Sequence, residues 1–170
     1  MNLLKKIIIF GFFVAVLSPI RVNAKDVVVV IDPGHGGENL GGHTEQFVEQ
    51  ELTILVAKHM KERLSLYDNV KVYLTHEEIG EKDLSRTERA EIAAKYNADF
   101  IFSLHFNMSE NHNLYGAEVW TSAFGSYYAK GQEFATILMD GMVNELGFFD
   151  RGVKVRIGKT GDDYYGIILN

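Results

Sequence analysis

Blocks of apolar residues alternate with polar stretches along this chain, and their spacing predicts five strands and three helices. The clearest strand is the run 27–31, five β-branched apolar residues typical of a strand buried on both faces. Shorter apolar runs predict the other strands, at 70–75, 100–104, 117–121 and 164–169. The order β-α-β-α-β-β-α-β predicts an α/β fold, a mixed, mostly parallel twisted sheet with helices on both faces in a single domain.

Apolar residues at three- and four-residue spacing predict helices over 47–67, 86–96 and 127–146. The expected buried stripe of the first helix is Val48, Leu52, Leu55, Val56, His59, Met60 and Leu64. The second helix is expected to start with a capping box of Ser85 and Glu88 and to pack through Ala90, Ala93 and Ala94. The third is expected to bury Phe134, Ile137, Leu138, Met142 and Val143 and to end at Gly147. The predicted loops are 38–46, 76–83, 107–115 and 150–163.

The first 24 residues have the pattern of a secretory signal peptide. Lys5 and Lys6 precede the apolar run 7–17, and Val22 and Ala24 place small residues at the −3 and −1 positions of a cleavage site. The alternative is an uncleaved membrane anchor, but the apolar run is shorter than the roughly 20 residues that span a bilayer. We therefore expect cleavage after Ala24, export, and a domain of residues 25–170 with no stable membrane span.

Charge and cysteine content narrow the functions open to this domain. The segment 1–24 carries three cations and no acid, and its removal takes the formal net charge from −6 to −9. An acidic domain lacks the cationic surface that nucleic-acid binding requires, so no nucleic-acid partner is expected. The chain has no cysteine, which excludes disulfides and thiol chemistry. Any metal ion must therefore be held by histidines and carboxylates.

Two histidines, His35 and His105, each follow a predicted buried strand. At the ends of parallel strands both would lie at the same edge of the sheet, where ligands of open α/β sheets bind. A carboxylate at the start of the first helix would complete a His/His/Glu set, which suits catalytic zinc. Glu49 is favoured because it extends the buried stripe of that helix, while Glu45 and Glu51 remain alternatives.

Other polar residues near these positions have a structural interpretation beside a functional one. Asp32 and Asn107 lie beside the candidate ligands, and either orient an imidazole or form turns. Arg86 and Arg89 are interpreted as solvated helix charges rather than salt-bridge or substrate contacts. The other four histidines are expected to be surface or packing residues, and they are His43, His59, His76 and His112.

Seven short segments share their pattern with one known family. Two hold the candidate histidines, Val-Ile-Asp-Pro-Gly-His-Gly-Gly at 30–37 and Ala-Asp-Phe-Ile-Phe-Ser-Leu-His-Phe-Asn at 98–107. The others are Val-Glu-Gln-Glu-Leu at 48–52, Leu-Thr at 74–75, Leu-Ser-Arg-Thr-Glu-Arg-Ala at 84–90, Gly-Ala-Glu-Val-Trp at 116–120 and Arg-Gly-Val-Lys at 151–154. In this order the chain resembles the zinc-dependent N-acetylmuramoyl-L-alanine amidases of the amidase-3 type.

The resemblance implies a cofactor, a ligand set and a reaction. It implies Zn²⁺ bound by His35, Glu49 and His105, and hydrolysis of the amide between N-acetylmuramic acid and L-alanine in peptidoglycan. That substrate lies in the cell envelope or outside the cell, which agrees with an exported, cysteine-free protein. The sequence leaves open whether a regulatory partner is needed.

The sequence departs from the family pattern in two places. The family's general base is a glutamate in a segment like Pro-x-x-x-x-Glu near the C-terminus, and nothing after Gly161 matches it. The catalytic base is therefore left unassigned, and the domain 25–170 is expected to continue past Asn170. His76 stands where the family usually has arginine. Two alternative functions follow, a non-catalytic peptidoglycan-binding relative that lacks the base, and a zinc peptidase that acts on soluble peptides.

Overall fold

The run of β-branched residues becomes the central strand of a three-stranded sheet. Strand β1, Val27–Pro33, pairs in parallel with β2, Val70–Leu74, and with β3, Phe100–Leu104. The last five residues of β1 are buried, as the continuous apolar run predicts. The computed structural model describes residues 25–110, 115–125, 128–165 and 167.

Helix α1, Glu49–Leu64, packs on β1 and β2, but through a face that differs from the predicted one. Its buried residues are Glu49, Gln50, Thr53, Ile54 and Ala57. The expected burial of Leu55 and His59 is wrong, since Leu55 is 53% exposed and His59 is also exposed. The hydroxyl of Thr53 donates to the carbonyl of Gly34 at 3.0 Å, so a polar face can be buried against the turn after β1.

Helix α2, Arg86–Lys95, starts with the predicted capping box. The Ser85 hydroxyl accepts from the Glu88 N–H at 3.3 Å, and the Glu88 carboxylate accepts from the Ser85 N–H at 2.8 Å. Ala93 is buried as expected, whereas Ala94 is exposed.

The interpretation of Arg89 as a solvated charge is wrong, while Arg86 is exposed as expected. Arg89 is only 7% exposed and forms an ion pair with Asp32 at 2.6 Å. It lies four residues before the buried Ala93, and therefore on the inner face of α2.

A second sheet is formed by β4, Ala117–Trp120, and β5, Asp150–Lys154, which pair in parallel. Helix α3, Tyr128–Asn144, packs on both strands and buries Ala135 and Met139. Its expected C-terminal glycine is confirmed, because Gly147 has φ 72° and its N–H donates to the Val143 carbonyl at 3.1 Å.

In this second part of the chain, the structure differs from the sequence prediction at three places. The loop predicted at 150–163 is wrong over its first five residues, because pairing with β4 imposes an extended backbone on a polar, glycine-containing segment. Ile137 is 62% exposed rather than buried. In the strand predicted at 164–169, Tyr164 and Tyr165 form bends and Ile167 lies in a turn, and the other residues fall outside the described part.

The predicted α/β class is confirmed, with strands and helices in the expected order. The described strands are divided between two parallel sheets, of three and two strands, rather than joined in one. Within the part of the chain that the structure describes, no helix is long and apolar enough to cross a bilayer. The predicted signal peptide at 1–24 lies outside the described residues, as does His112.

Candidate metal centre

The two candidate histidines meet at the carboxyl ends of β1 and β3. His35 follows β1 after Gly34, in a left-handed conformation with φ 70°, and His105 follows β3 directly. Their rings lie edge to face, with centroids 4.9 Å apart. Small residues make room for them, since a Cβ on Gly34 would lie 2.5 Å from the His105 ring and one on Gly41 would lie 2.5 Å from the His35 ring.

Glu49 completes the group from the first turn of α1, where it is only 6% exposed. Its Oε1 lies 3.0 Å from Nε2 of His35 and 3.1 Å from Nδ1 of His105. One ligand atom from each of the three residues lies within 4.8 Å of the others. Glu45 and Glu51, the alternatives from sequence, are exposed and do not belong to this group.

The donor atoms of this group fit a divalent cation. Nδ1 of His35 lies 3.1 Å from Oδ1 of Asn39, an acceptor, so Nδ1 is the ring nitrogen that donates there and Nε2 is the one left to bind a cation. That Nε2 is buried without a hydrogen-bond partner, and faces the Glu49 carboxylate. A ring nitrogen and a carboxylate oxygen at this distance require a proton or a metal ion between them. Ligand atoms of tetrahedral zinc lie about 3.4 Å apart for bonds near 2.1 Å, close to the separations found here.

The Glu49 carboxylate is held in its ionised form. Its Oε1 accepts the Phe106 N–H at 2.8 Å and its Oε2 accepts the Gly42 N–H at 2.7 Å. Burial alone would raise the pKa of Glu49, but these two hydrogen bonds and the neighbouring His35 outweigh burial and lower that pKa below its ordinary value. The group is therefore ready to bind a cation at neutral pH.

Arg89 supports the turn that carries His35, a role that the sequence interpretation missed. Its guanidinium donates to the carbonyl of Pro33 at 2.7 Å and to that of His35 at 2.8 Å. Asp32 does not orient an imidazole directly, because its oxygens accept from Arg89, from Thr75 and from Ser103. The position of Arg89 one helical turn before Ala93 is the sequence signal that could have identified it.

The remaining histidines take different positions. His43 and His59 are exposed, and His76 is 6% exposed. Burial, followed by the charge of Arg89, lowers the pKa of His76, although Asp32 and nearby acids oppose the shift. His76 is thus a buried packing residue, one of the two roles considered for it.

A cluster of cations surrounds Glu118 on the second sheet. Asn107 donates to its Oε1 at 2.8 Å, while Lys154 and Arg151 lie 2.6 and 3.1 Å from its Oε2. Burial would raise the pKa of Glu118, but the hydrogen bonds from Lys154, Trp120 and Asn107 lower that pKa to about 2. Asn107 therefore joins the segment after His105 to β4, rather than orienting an imidazole.

Glu118 is expected to stabilise the fold in a pH-dependent way. Its pKa falls from an ordinary 4.5 to about 2, so its contribution is complete above pH 4.5 and is lost as the pH falls toward 2. At 1.36 kcal/mol per pKa unit, Glu118→Gln should lower the free energy of unfolding by up to about 3 kcal/mol at pH 6. Urea titrations from pH 6 to pH 2.5 measure this, with the exposed Glu133→Gln as control. A difference from wild type that stays constant over this range would contradict the assignment.

Comparison with known proteins points to one family. The family model described as N-acetylmuramoyl-L-alanine amidase matches residues 29–165. A probable N-acetylmuramoyl-L-alanine amidase, AmiB of Haemophilus influenzae, is 31% identical over 119 residues, which are 69% of this chain and 27% of that protein. A putative amidase of Buchnera aphidicola is 32% identical over 55% of this chain and 43% of its own length. The chain thus spans less than half of the length of these curated relatives.

Solved structures share the fold. Cwp6 from Clostridium difficile aligns with a TM-score of 0.75 at 24% identity, over 85% of this chain and 23% of that one. The amidase AmiC2 of Nostoc punctiforme aligns with a TM-score of 0.64 at 27% identity, over 75% of this chain and 67% of that one.

Proposed function

The chain belongs to the N-acetylmuramoyl-L-alanine amidase family, and from that premise we propose that it is an exported zinc-dependent hydrolase of peptidoglycan. The bond cleaved would be the amide between N-acetylmuramic acid and L-alanine. The observation that carries the proposal is the convergence of His35, Glu49 and His105, three residues far apart in sequence, on one point at the edge of the sheet. A set of three protein ligands, two histidines and one glutamate, leaves one position of a tetrahedral zinc to water or substrate, as in catalytic rather than structural zinc sites.

In this proposal the protein's own residues hold and orient the reaction centre. A zinc ion bound by these residues would supply the Lewis acidity that amide hydrolysis needs. Glu49 contributes the negative charge of the ligand set and is fixed by the backbone N–H groups of Gly42 and Phe106. His35 is fixed through its carbonyl by Arg89 and through Nδ1 by Asn39.

No described residue is assigned as the general base. Among the residues that the structure describes, the carboxylate closest to the reaction centre is Glu49, which serves as a ligand. A base typically contributes about 10² to 10⁴ in rate. The alternative proposal, a non-catalytic peptidoglycan-binding relative that lacks the base, predicts zinc and peptidoglycan binding without detectable hydrolysis.

Export and a place in the cell envelope belong to the same proposal. They are supported by the signal-peptide pattern of residues 1–24 and by the absence of cysteine. The proposal includes a partner protein for this domain, since one fold neighbour, the CwlD amidase of Clostridioides difficile, was solved in complex with the GerS lipoprotein.

Product analysis on purified peptidoglycan tests the proposal. The zinc-loaded full chain is expected to release new L-alanine amino termini while the glycan strands stay intact, because only the muramyl amide is cut. Glu49→Gln, which removes the charged ligand, is the inactive control. Release of free amino acids without those termini would favour the soluble-peptide peptidase. Binding to peptidoglycan without any new termini would favour the non-catalytic relative, and either result would overturn the amidase assignment.

A further inference from the structure

The side chain of Asn39 bridges the His35 ring and the segment before α2. Its Oδ1 lies 3.1 Å from Nδ1 of His35, and its Nδ2 donates to Oδ2 of Asp83 at 2.9 Å. The backbone of Asn39 is fixed as well, because its N–H donates to the Gly36 carbonyl at 2.9 Å and its own carbonyl accepts the Gly36 N–H at 3.3 Å. Both ends of this side chain are therefore engaged.

Asp83 determines which way the Asn39 amide points. An ionised carboxylate only accepts hydrogen bonds, so the NH₂ group of Asn39 must face Asp83 and its oxygen must face His35. An amide oxygen also only accepts, so Nδ1 of His35 is the ring nitrogen that carries a proton toward Asn39. Nε2 is then the nitrogen left to bind a metal ion, and it lies 3.0 Å from the Glu49 carboxylate.

Arg89 closes this set of contacts into a ring. Its NH2 group donates to Oδ1 of Asp83 at 3.1 Å and to the carbonyl of His35 at 2.8 Å. The path from the His35 ring through Asn39, Asp83 and Arg89 thus returns to the His35 backbone. Asp83 itself lies tightly against the glycine turn, since a Cβ on Gly36 would lie 2.9 Å from its Cα.

We propose that Asn39, held by Asp83, is a positioning residue that fixes the Nδ1–H tautomer of His35 and so prepares the site for its metal ion. The inference rests on the proposed metal site. Residues that hydrogen-bond the far nitrogen of a ligating histidine typically change metal affinity by about 10- to 100-fold when removed. A residue that only formed the turn would change stability without moving the ring proton.

Two measurements on the full chain test this role. Long-range ¹H–¹⁵N spectra of the histidine rings in the metal-free protein report which His35 nitrogen carries the proton. Competition with a chelator reports the dissociation constant for zinc alone. We expect Asn39→Ala to remove the preference for a proton on Nδ1 of His35 and to weaken zinc binding by about 10- to 100-fold. Glu38→Ala, at an exposed neighbour in the same loop, should change neither quantity.

A charge exchange separates positioning from packing. Asn39→Asp alone would place two carboxylates face to face, and should weaken zinc binding. Combined with Asp83→Asn, it keeps an acceptor facing His35 and restores a hydrogen bond between positions 39 and 83. Zinc affinity should then return to within a few-fold of wild type. Asn39→Ala and Asp83→Ala should combine non-additively, because both variants break the same path.

The outcomes are distinct from those of the metal proposal. If Asn39→Ala leaves the tautomer and the zinc affinity unchanged, or if the charge exchange fails to rescue a folded protein, the positioning role is refuted. If wild type binds no zinc, the proposed function fails, yet the spectra of the metal-free protein still decide whether Asn39 fixes the ring proton. A thermal melt of each variant identifies any that has failed to fold.

Discussion

Alanine in place of His35 or His105 is expected to abolish stoichiometric zinc binding. Each substitution leaves only two of the three proposed protein ligands. In wild type, the Glu49 carboxylate lies 3.0 Å from the His35 ring and 3.1 Å from the His105 ring, so both imidazoles adjoin the same point. We expect the zinc affinity to fall by at least about 10³-fold, beyond the 10- to 100-fold that follows loss of a residue contacting a ligand. Amidase activity should fall with it. Competition titration with a chelator and metal analysis of the purified variants measure the effect.

Matched variants make this test specific. His43→Ala removes an exposed histidine of the same loop, and should keep wild-type zinc content. Glu49→Gln keeps the shape of the ligand but not its charge, whereas Glu51→Gln changes an exposed acid of the same helix turn. Only the Glu49 variant should lose zinc. Full occupancy in the His35 or His105 variant would refute the ligand assignment.

Arg89→Ala is expected to lower the free energy of unfolding by about 3 to 5 kcal/mol, the range found when one partner of a buried ion pair is removed. The Asp32 side chain is 1% exposed, so its charge would be left buried without its ion-pair partner. The carbonyls of Pro33 and His35 would lose their donor at the same time. Urea unfolding of the metal-free protein at pH 7 measures the change.

Two further variants control for this prediction. Arg86→Ala removes an exposed arginine from the same helix and should change stability by no more than about 0.5 kcal/mol. Arg89→Lys keeps the charge but loses the forked donors, and should recover only part of the stability. If Arg89→Ala unfolds at the same urea concentration as wild type, the ion pair with Asp32 does not stabilise the fold.

The elements that sequence predicted well are those whose signal is local. The first strand contains a continuous run of apolar residues, the next two are short and largely apolar, and the capping box of Ser85 and Glu88 follows from two residue types at fixed spacing. The convergence of His35 and His105 is predictable because neighbouring parallel strands have their carboxyl ends at the same edge of the sheet. The helical stripe that favours Glu49 is partly wrong, because Leu55 and His59 are exposed. The burial of Glu49 itself is confirmed.

The features that sequence missed depend on partners distant in the chain. Strand β5 has few apolar residues, and its extended backbone comes from pairing with β4. Arg89 is buried because its guanidinium forms an ion pair with the buried carboxylate of Asp32 on β1. Thr53 on the inner face of α1 is accommodated by a free carbonyl in the turn after β1. The partner in each pairing cannot be read from a local pattern, although the position of Arg89 one helical turn before Ala93 does place it on the inner face of α2.

Gly34 and Gly41 carry no functional group, yet a methyl group on either would collide with the ring of a candidate ligand. Tolerance to substitution at this edge of the sheet therefore depends on available space as well as on functional groups. In a saturation screen for function, both positions should be as intolerant as the histidines themselves. A redesign of this centre would therefore have to keep both glycines, because the His35 and His105 rings need the space that a side chain there would fill.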